Sequence, residues 1–141
     1  MISKVTDRKI RIGVVGCGRI SKNHFQSIAK HQQDFELVGV CDNNPEALNI
    51  LDLEPGVSKH TSLTSLLEQN LDLVVLTTPS GLHPRQCIEA ARRGVHVMTE
   101  KPMATRWRDG LAMVDACDQA GVHLLVVKQN RRNSTLQLLK R

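Results

Sequence analysis

Short apolar runs alternate along this chain with segments whose apolar residues recur at helical spacing. Ile10–Val15 and Phe35–Cys41 are apolar and rich in β-branched residues, and each predicts a strand. Between them, residues 19–31 place Ile20, His24, Ser27, Ile28 and His31 near one face of a predicted helix. Pro45 opens a helix to Leu51, at the position where its missing N–H costs nothing. A short strand over 57–60 and a helix over 62–69 follow. Residues 71–77 then read as a strand with both faces buried, being almost wholly apolar. Ser80 or Gly81 is expected to cap a helix running to Arg93, with Gly94 as its left-handed stop. Residues 95–99 predict a fifth strand. Thr105 is the expected cap of a helix ending near Ala120, and Gly121 stops it. Residues 122–127 predict a sixth strand, and 134–140 the opening turns of a further helix. Such alternation implies an α/β fold, a doubly wound parallel sheet in the order 3-2-1-4-5-6, as a single domain.

The connection after the first strand narrows this further. Gly16-Cys17-Gly18-Arg19-Ile20 joins a strand to a helix close to the N-terminus. Gly16 permits a tight turn and Gly18 a close approach of backbone to a pyrophosphate. The next helix aims its unpaired N–H groups at the anion. The third small position is Ser21, not the usual Gly or Ala. These features predict a dinucleotide-binding Rossmann domain. Asp42 ends the second strand, 26 residues beyond Gly16. That is near the ~20 residues expected for the acid that accepts hydrogen bonds from the adenosine ribose and disfavours a 2′-phosphate. It selects NAD over NADP. The same Asp42 also has the position of a cap for Asn43-Asn44-Pro45.

Thr77, Thr78 and Pro79 follow the fourth strand, at the edge where such sheets hold ligands. His83 is either a cofactor contact or a first-turn helix residue touching solvent, and His24 fits a helix surface or a packing role. Glu100-Lys101-Pro102 closes the fifth strand on that same edge. An ammonium at Lys101 can hydrogen-bond a substrate hydroxyl, stabilise a developing alkoxide and share acid–base work, with Glu100 orienting it. Gln129, in the polar run after the sixth strand, either meets the nicotinamide ribose, its carboxamide or an anionic substrate group, or belongs to a solvated linker.

Composition removes other classes. The chain has 141 residues, 40% hydrophobic and 23% charged, which is ordinary for a globular domain. No apolar run approaches the ~20 residues of a membrane helix, and the N-terminal residues lack a secretory pattern. Cys17, Cys41, Cys87 and Cys117 have neither metal-ligand nor redox-motif spacing, so reduced thiols in the cytoplasm are expected. The net charge of +5 arises after residue 100, where eight basic side chains face three acidic ones. A nucleic-acid surface is the alternative reading of that excess. With 2% aromatics and no Tyr, base stacking is disfavoured, and no nucleic-acid partner is expected.

The motifs together resemble the N-terminal part of the glucose–fructose oxidoreductase / inositol dehydrogenase / MocA family. The likeness rests on GVVGCGRISKNH from Gly13, VCD at 40–42, TTPSGLH from Thr77, EKPMA from Glu100 and Asn130-Arg131-Arg132. Asn133 replaces a frequent aromatic, and Ser80 stands where Asn is common. The resemblance implies NAD as cofactor and hydride exchange with a secondary hydroxyl or carbonyl of a sugar, nucleotide-sugar or cyclitol. It implies that Lys101 is the catalytic lysine, that Lys101–Pro102 is cis, and that Asp42 selects NAD. It also implies a second α/β domain supplying substrate pocket, subunit interface and a partner histidine. On that reading residues 1–9 are a tail, 10–128 the Rossmann domain and 129–141 the start of a connection to the second domain. The chain alone then binds NAD(H) with little or no turnover, while the complete protein is a dehydrogenase and a homo-oligomer. The segment from Lys128 resembles the branch acting on UDP-linked N-acetylhexuronic acids. The competing reading is a non-catalytic, regulatory or redox-sensing dinucleotide-binding module.

Overall fold

A computed structural model describes residues 7–138. Most of the predicted 1–9 tail, the last residues of the 134–140 helix and two of the C-terminal basic residues, Lys140 and Arg141, lie outside the described residues. Six strands form one parallel sheet: β1 (Ile10–Val15), β2 (Phe35–Cys41), β3 (Ser58–His60), β4 (Leu73–Leu76), β5 (His96–Thr99) and β6 (Leu124–Val126). Their spatial order is β3-β2-β1-β4-β5-β6, as the alternation predicts. The helices are α1 (Ser21–Lys30), α2 (Pro45–Asn49), α3 (Leu63–Leu67), α4 (His83–Arg92), α5 (Trp107–Ala120) and α6 (Ser134–Leu138).

Each central strand buries side chains on both faces, because successive residues point to opposite sides. Val15, Val74, Leu76 and Val97 meet Leu66 of α3, Cys87 of α4 and Met113 of α5 on one face. Ile12, Val14, Val40 and Val75 meet Ile28 of α1 and Leu48 of α2 on the other. Val14, Leu66, Leu76 and Met113 are fully buried, each contributing about 1.5–3 kcal/mol. Leu66 seats deeply because two strand positions opposite it lack side chains. A Cβ at Gly39 would lie 2.8 Å from its Cδ1, and one at Gly13 3.1 Å from its Cδ2.

Several boundaries differ from the sequence expectations. α1 starts at Ser21, not Arg19, and turns Ser21, Phe25 and Ile28 inward, while Ile20, Ser27 and His31 are exposed. Ser80–Leu82 forms a 3-10 turn, so neither Ser80 nor Gly81 caps α4. That helix begins at His83 with Pro84 in its first turn. α5 begins at Trp107 after Arg106, so Thr105 is not its cap. The glycine stops hold: Gly94 has φ +74 and Gly121 φ +66. Asn44 and Ser62 cap α2 and α3 by accepting from Glu46 N–H (3.0 Å) and Ser65 N–H (3.2 Å).

All four cysteines are free and buried. Burial, reinforced by the nearby Asp42 carboxylate, pushes the Cys17 thiol up to about 12 and Cys41 up to about 11. An unfolded thiol ionises near ~8.5. Above that pH the unfolded chain releases protons that the folded chain retains, so stability should fall as pH rises. The expected results are a lower urea midpoint at pH 10 than at pH 8 and slow iodoacetamide labelling of native Cys17 at pH 8. Labelling as fast as that of a free thiol would contradict the buried, protonated state.

Candidate functional site

Because every strand pair is parallel, the loops after β1, β2, β4, β5 and β6 gather at one edge of the sheet. α1 leaves β1 toward one face and α4 leaves β4 toward the other. A crevice therefore opens between the ends of these neighbouring strands. It encloses about 520 Å³, and its walls include Gly16, Gly18, Asp42, Thr77, Thr78 and Pro79.

The glycine loop is built tightly on one side and left open on the other. Gly16 has φ +89, its N–H donates to Cys41 O at 2.7 Å, and a Cβ there would lie 2.8 Å from Thr78 N. Gly18 has no protein atom within 4 Å of the place its Cβ would take, so the space before it belongs to the crevice. No side chain caps the first turn of α1, which also carries no acidic residue. Its N–H groups thus suit an anion. Cys17 is buried, while Arg19 and Ile20 are exposed at the start of α1. Ser21 compensates for its departure from Gly or Ala: its buried hydroxyl donates to Gly18 O at 2.6 Å and ties loop to helix.

Asp42 is not the cap of α2, which is Asn44; it braces that cap residue and also pins the loop. Its Oδ1 accepts from Asn44 N–H at 2.9 Å and its Oδ2 from Cys17 N–H at 2.7 Å. A carboxylate has about four acceptor sites, so capacity for ribose hydroxyls remains. Thr77 turns inward, its hydroxyl meeting Gly16 O at 2.5 Å and Val15 O at 3.0 Å. Thr78 donates to Gln86 Oε1 at 2.5 Å.

His83 fits neither sequence alternative. It is 1% exposed, and its ring nitrogens lie 2.8 Å from Thr78 O and 3.1 Å from Pro102 O. It clamps the β4 loop to the β5 loop and offers no open surface to solvent or cofactor. The helix leading off β4 begins two residues later than a cap at Ser80 would allow, and one later than a cap at Gly81, after the 3-10 turn at Ser80–Leu82. Glu100, expected to orient Lys101, meets its backbone and not its side chain. Glu100 Oε1 lies 2.8 Å from His24 Nε2, and Oε2 accepts from the Lys101 backbone N–H at 3.3 Å. Lys101 is exposed, directly after β5, and the Lys101–Pro102 peptide is cis. Gln129 begins an exposed 3-10 turn next to it, since Val127 N–H bonds to Thr99 O at 3.0 Å. Glu100, Lys101 and Gln129 stand beyond the crevice walls, on the β5–β6 side.

Sequence reasoning missed Asn43, Ser62 and Arg85, which border the crevice past Asp42. Nothing local marks them; the order of the sheet, with β3 and β2 on one side of β1 and β4 on the other, brings them together. The cradle before Gly18, the uncapped α1 turn and the acid at Asp42 fit a dinucleotide with its phosphates at the loop and its adenosine toward β2.

Comparisons with known proteins agree with that geometry. Residues 10–128 match the family described as oxidoreductase family, NAD-binding Rossmann fold. D-apiose dehydrogenase of Paraburkholderia graminis is 31% identical over 139 residues, 96% of this chain and 36% of that protein. The WlbA dehydrogenase of Chromobacterium violaceum, solved in complex with NADH and UDP-GlcNAcA, is 60% identical with a TM-score of 0.95. The match covers 100% of this chain and 41% of that one. The WlbA dehydrogenase of Bordetella pertussis, in complex with the same two ligands, is 62% identical with a TM-score of 0.90, covering 94% and 41%. The chain thus spans well under half the length of each relative. With residues 10–128 of its 141 matched and the sheet order of that fold, this chain belongs to the glucose–fructose oxidoreductase / inositol dehydrogenase / MocA family of oxidoreductases, as an NAD-binding Rossmann domain.

Proposed function

We propose that this chain is the cofactor-binding part of an NAD-dependent dehydrogenase acting on a UDP-linked N-acetylhexuronic acid. The observation that carries the reading is Lys101. Its side chain is exposed at the sheet edge that bears the glycine loop, while its acidic neighbour Glu100 is engaged elsewhere. The substrate class is supported by the 60% and 62% identity to two dehydrogenases described with NADH and UDP-GlcNAcA.

Bound NAD supplies the hydride acceptor for oxidation and the donor for reduction. Gly18, Arg19 and Ile20 hold its phosphates by backbone and helix dipole, beside Gly16 and Cys17, whose own N–H groups are bonded to Cys41 O and Asp42 and shape the loop. Asp42 holds the adenosine ribose, and Thr77, Thr78, Pro79, Glu100 and Gln129 line its path toward Lys101. The Lys101 amine takes the hydroxyl proton as the substrate's C–H bond breaks and C=O forms, and returns it in the reverse direction. Residues 10–128 form the dinucleotide-binding body, 1–9 a tail, and 129–141 the lead into a substrate-binding part. The whole protein works in the cytoplasm as a homo-oligomer. Among the described residues no helix is long and apolar enough to cross a membrane.

The test uses the full-length protein. Calorimetry should find NADH binding at least about tenfold tighter than NADPH, because the Asp42 carboxylate repels a 2′-phosphate. Absorbance at the NADH band should report turnover of UDP-GlcNAcA. Asp42→Arg should weaken NADH and strengthen NADPH, narrowing or reversing the preference. Equal affinity for both cofactors in wild type and variant would remove the ribose role of Asp42. NADH binding without turnover of the nucleotide-sugar would remove the substrate assignment.

A further inference from the structure

Glu100 precedes Lys101 directly, and a carboxylate so placed is a natural partner for the ammonium. In this fold it is turned away. Its Oε1 lies 2.8 Å from His24 Nε2, with the two side chains only 14% and 16% exposed. Its Oε2 faces the Lys101 backbone N–H, and its own N–H donates to Leu76 O at 3.0 Å. The ion pairs recorded among the described residues join Arg8 to Asp72, Arg11 to Glu36 and His24 to Glu100, and none includes Lys101. His24 lies early in α1, the helix that follows the glycine loop, whereas Glu100 directly follows β5. β4 separates the two parent strands. The contact therefore ties the helix after the glycine loop to the segment that carries the amine.

We infer that His24 is a positioning residue for Lys101. By occupying the Glu100 carboxylate it keeps that carboxylate off the lysine side chain, so the amine stays available to a substrate hydroxyl. The inference rests on the role proposed above for Lys101. The charge-assisted bond is favoured because both partners are largely removed from water, where such bonds are shorter and stronger. If His24 is removed, Glu100 has an unsatisfied oxygen in a poorly hydrated place. The nearest cation in sequence is then Lys101. A lysine paired with a carboxylate holds its proton more firmly and is a poorer base and nucleophile.

Two readouts on the full-length enzyme test this. Steady-state turnover of UDP-GlcNAcA with NAD should fall about tenfold in kcat for His24→Ala, because an amine held by a carboxylate is a weaker general base. KM for NAD should stay within about threefold, since His24 is not assigned a cofactor contact. His24→Gln, whose amide N–H can reach the Nε2 position, should recover most of the loss. His24→Asn, which is shorter, should not. In a Glu100→Gln background His24→Ala should change kcat little, because the competing charge is already gone.

The second readout needs no turnover. Acetylation of Lys101 by acetic anhydride at pH 8, followed by mass spectrometry, should slow about tenfold in His24→Ala and His24→Asn and recover in His24→Gln. If Lys101→Met leaves turnover intact, the catalytic role of the lysine fails, yet the labelling still reports whether His24 controls it. Equal labelling rates in wild type, His24→Ala and His24→Asn overturn the inference. So does a loss of melting temperature that accompanies unchanged labelling, which is what a purely structural tie between α1 and β5 would produce.

Discussion

In the full-length enzyme, Lys101→Met should lower kcat about a thousandfold while NADH affinity changes less than about threefold. The expectation follows from where the side chain stands. Lys101 is exposed just after β5, outside the crevice walled by the glycine loop and Asp42. Removing its amine takes away a proton acceptor and a stabiliser of the developing alkoxide, and each such group is worth about a hundredfold or more. The backbone of the segment does not depend on that amine. Pro102 O meets His83, and Glu100 N–H meets Leu76 O. Stability should therefore move by no more than about 0.5 kcal/mol, as for most exposed substitutions. Stopped-flow turnover, NADH titration and thermal unfolding check the three parts separately. A kcat within about tenfold of wild type would leave Lys101 without a chemical role.

Gly16→Ala should be the most damaging small substitution in the domain. Gly16 sits at φ +89, which an L-residue adopts only at a cost of about 1–3 kcal/mol. The added methyl would also lie 2.8 Å from Thr78 N and 2.9 Å from Thr77 C, both backbone atoms. No rotamer change relieves such contacts, because Thr77 is bonded to Val15 O through both its N–H and its hydroxyl. Overpacking of this kind costs about 1–3 kcal/mol more. Together these reach roughly 2–6 kcal/mol, against about 5–15 for a whole domain. A large fall in the urea midpoint and loss of NADH binding are expected.

Gly18→Ala separates the two effects. Its methyl would meet no protein atom within 4 Å. Stability should barely change, while NADH affinity should drop because the methyl enters the space before the phosphate cradle. If Gly18→Ala binds NADH like wild type, the phosphates do not pass that glycine. If Gly16→Ala is as stable as wild type, the close approach of the β1 and β4 loops does not constrain the domain.

Strand existence, strand order and the tight glycine turn after β1 could all be read from the chain, because each follows from short-range chemistry. β1 and β2 occupy the expected residues; β-branched apolar runs bounded by Gly and Asp leave few alternatives. The right-handed crossover then orders the sheet. The helix starts were less legible. α1, α4 and α5 all begin one or two residues later than expected and carry no side-chain cap bond. Their starting points are set by packing on the sheet, where no capping residue marks them.

The side-chain partners were the tertiary structure's to decide. His83 was open between cofactor and solvent, and its burial between two loops depends on the turn at Ser80–Leu82. The Glu100 carboxylate meets His24, 76 residues away in the chain, instead of the adjacent lysine side chain. Asp42 joins a local turn bond from Asn44 N–H with a bond from Cys17 N–H that exists only because β1 and β2 lie side by side. Periodicity and turn chemistry act over a few residues and leave a local imprint on the sequence. Which acceptor a donor meets across strands is fixed by the packed geometry of elements far apart in the chain, and that information appears only once the sheet has formed.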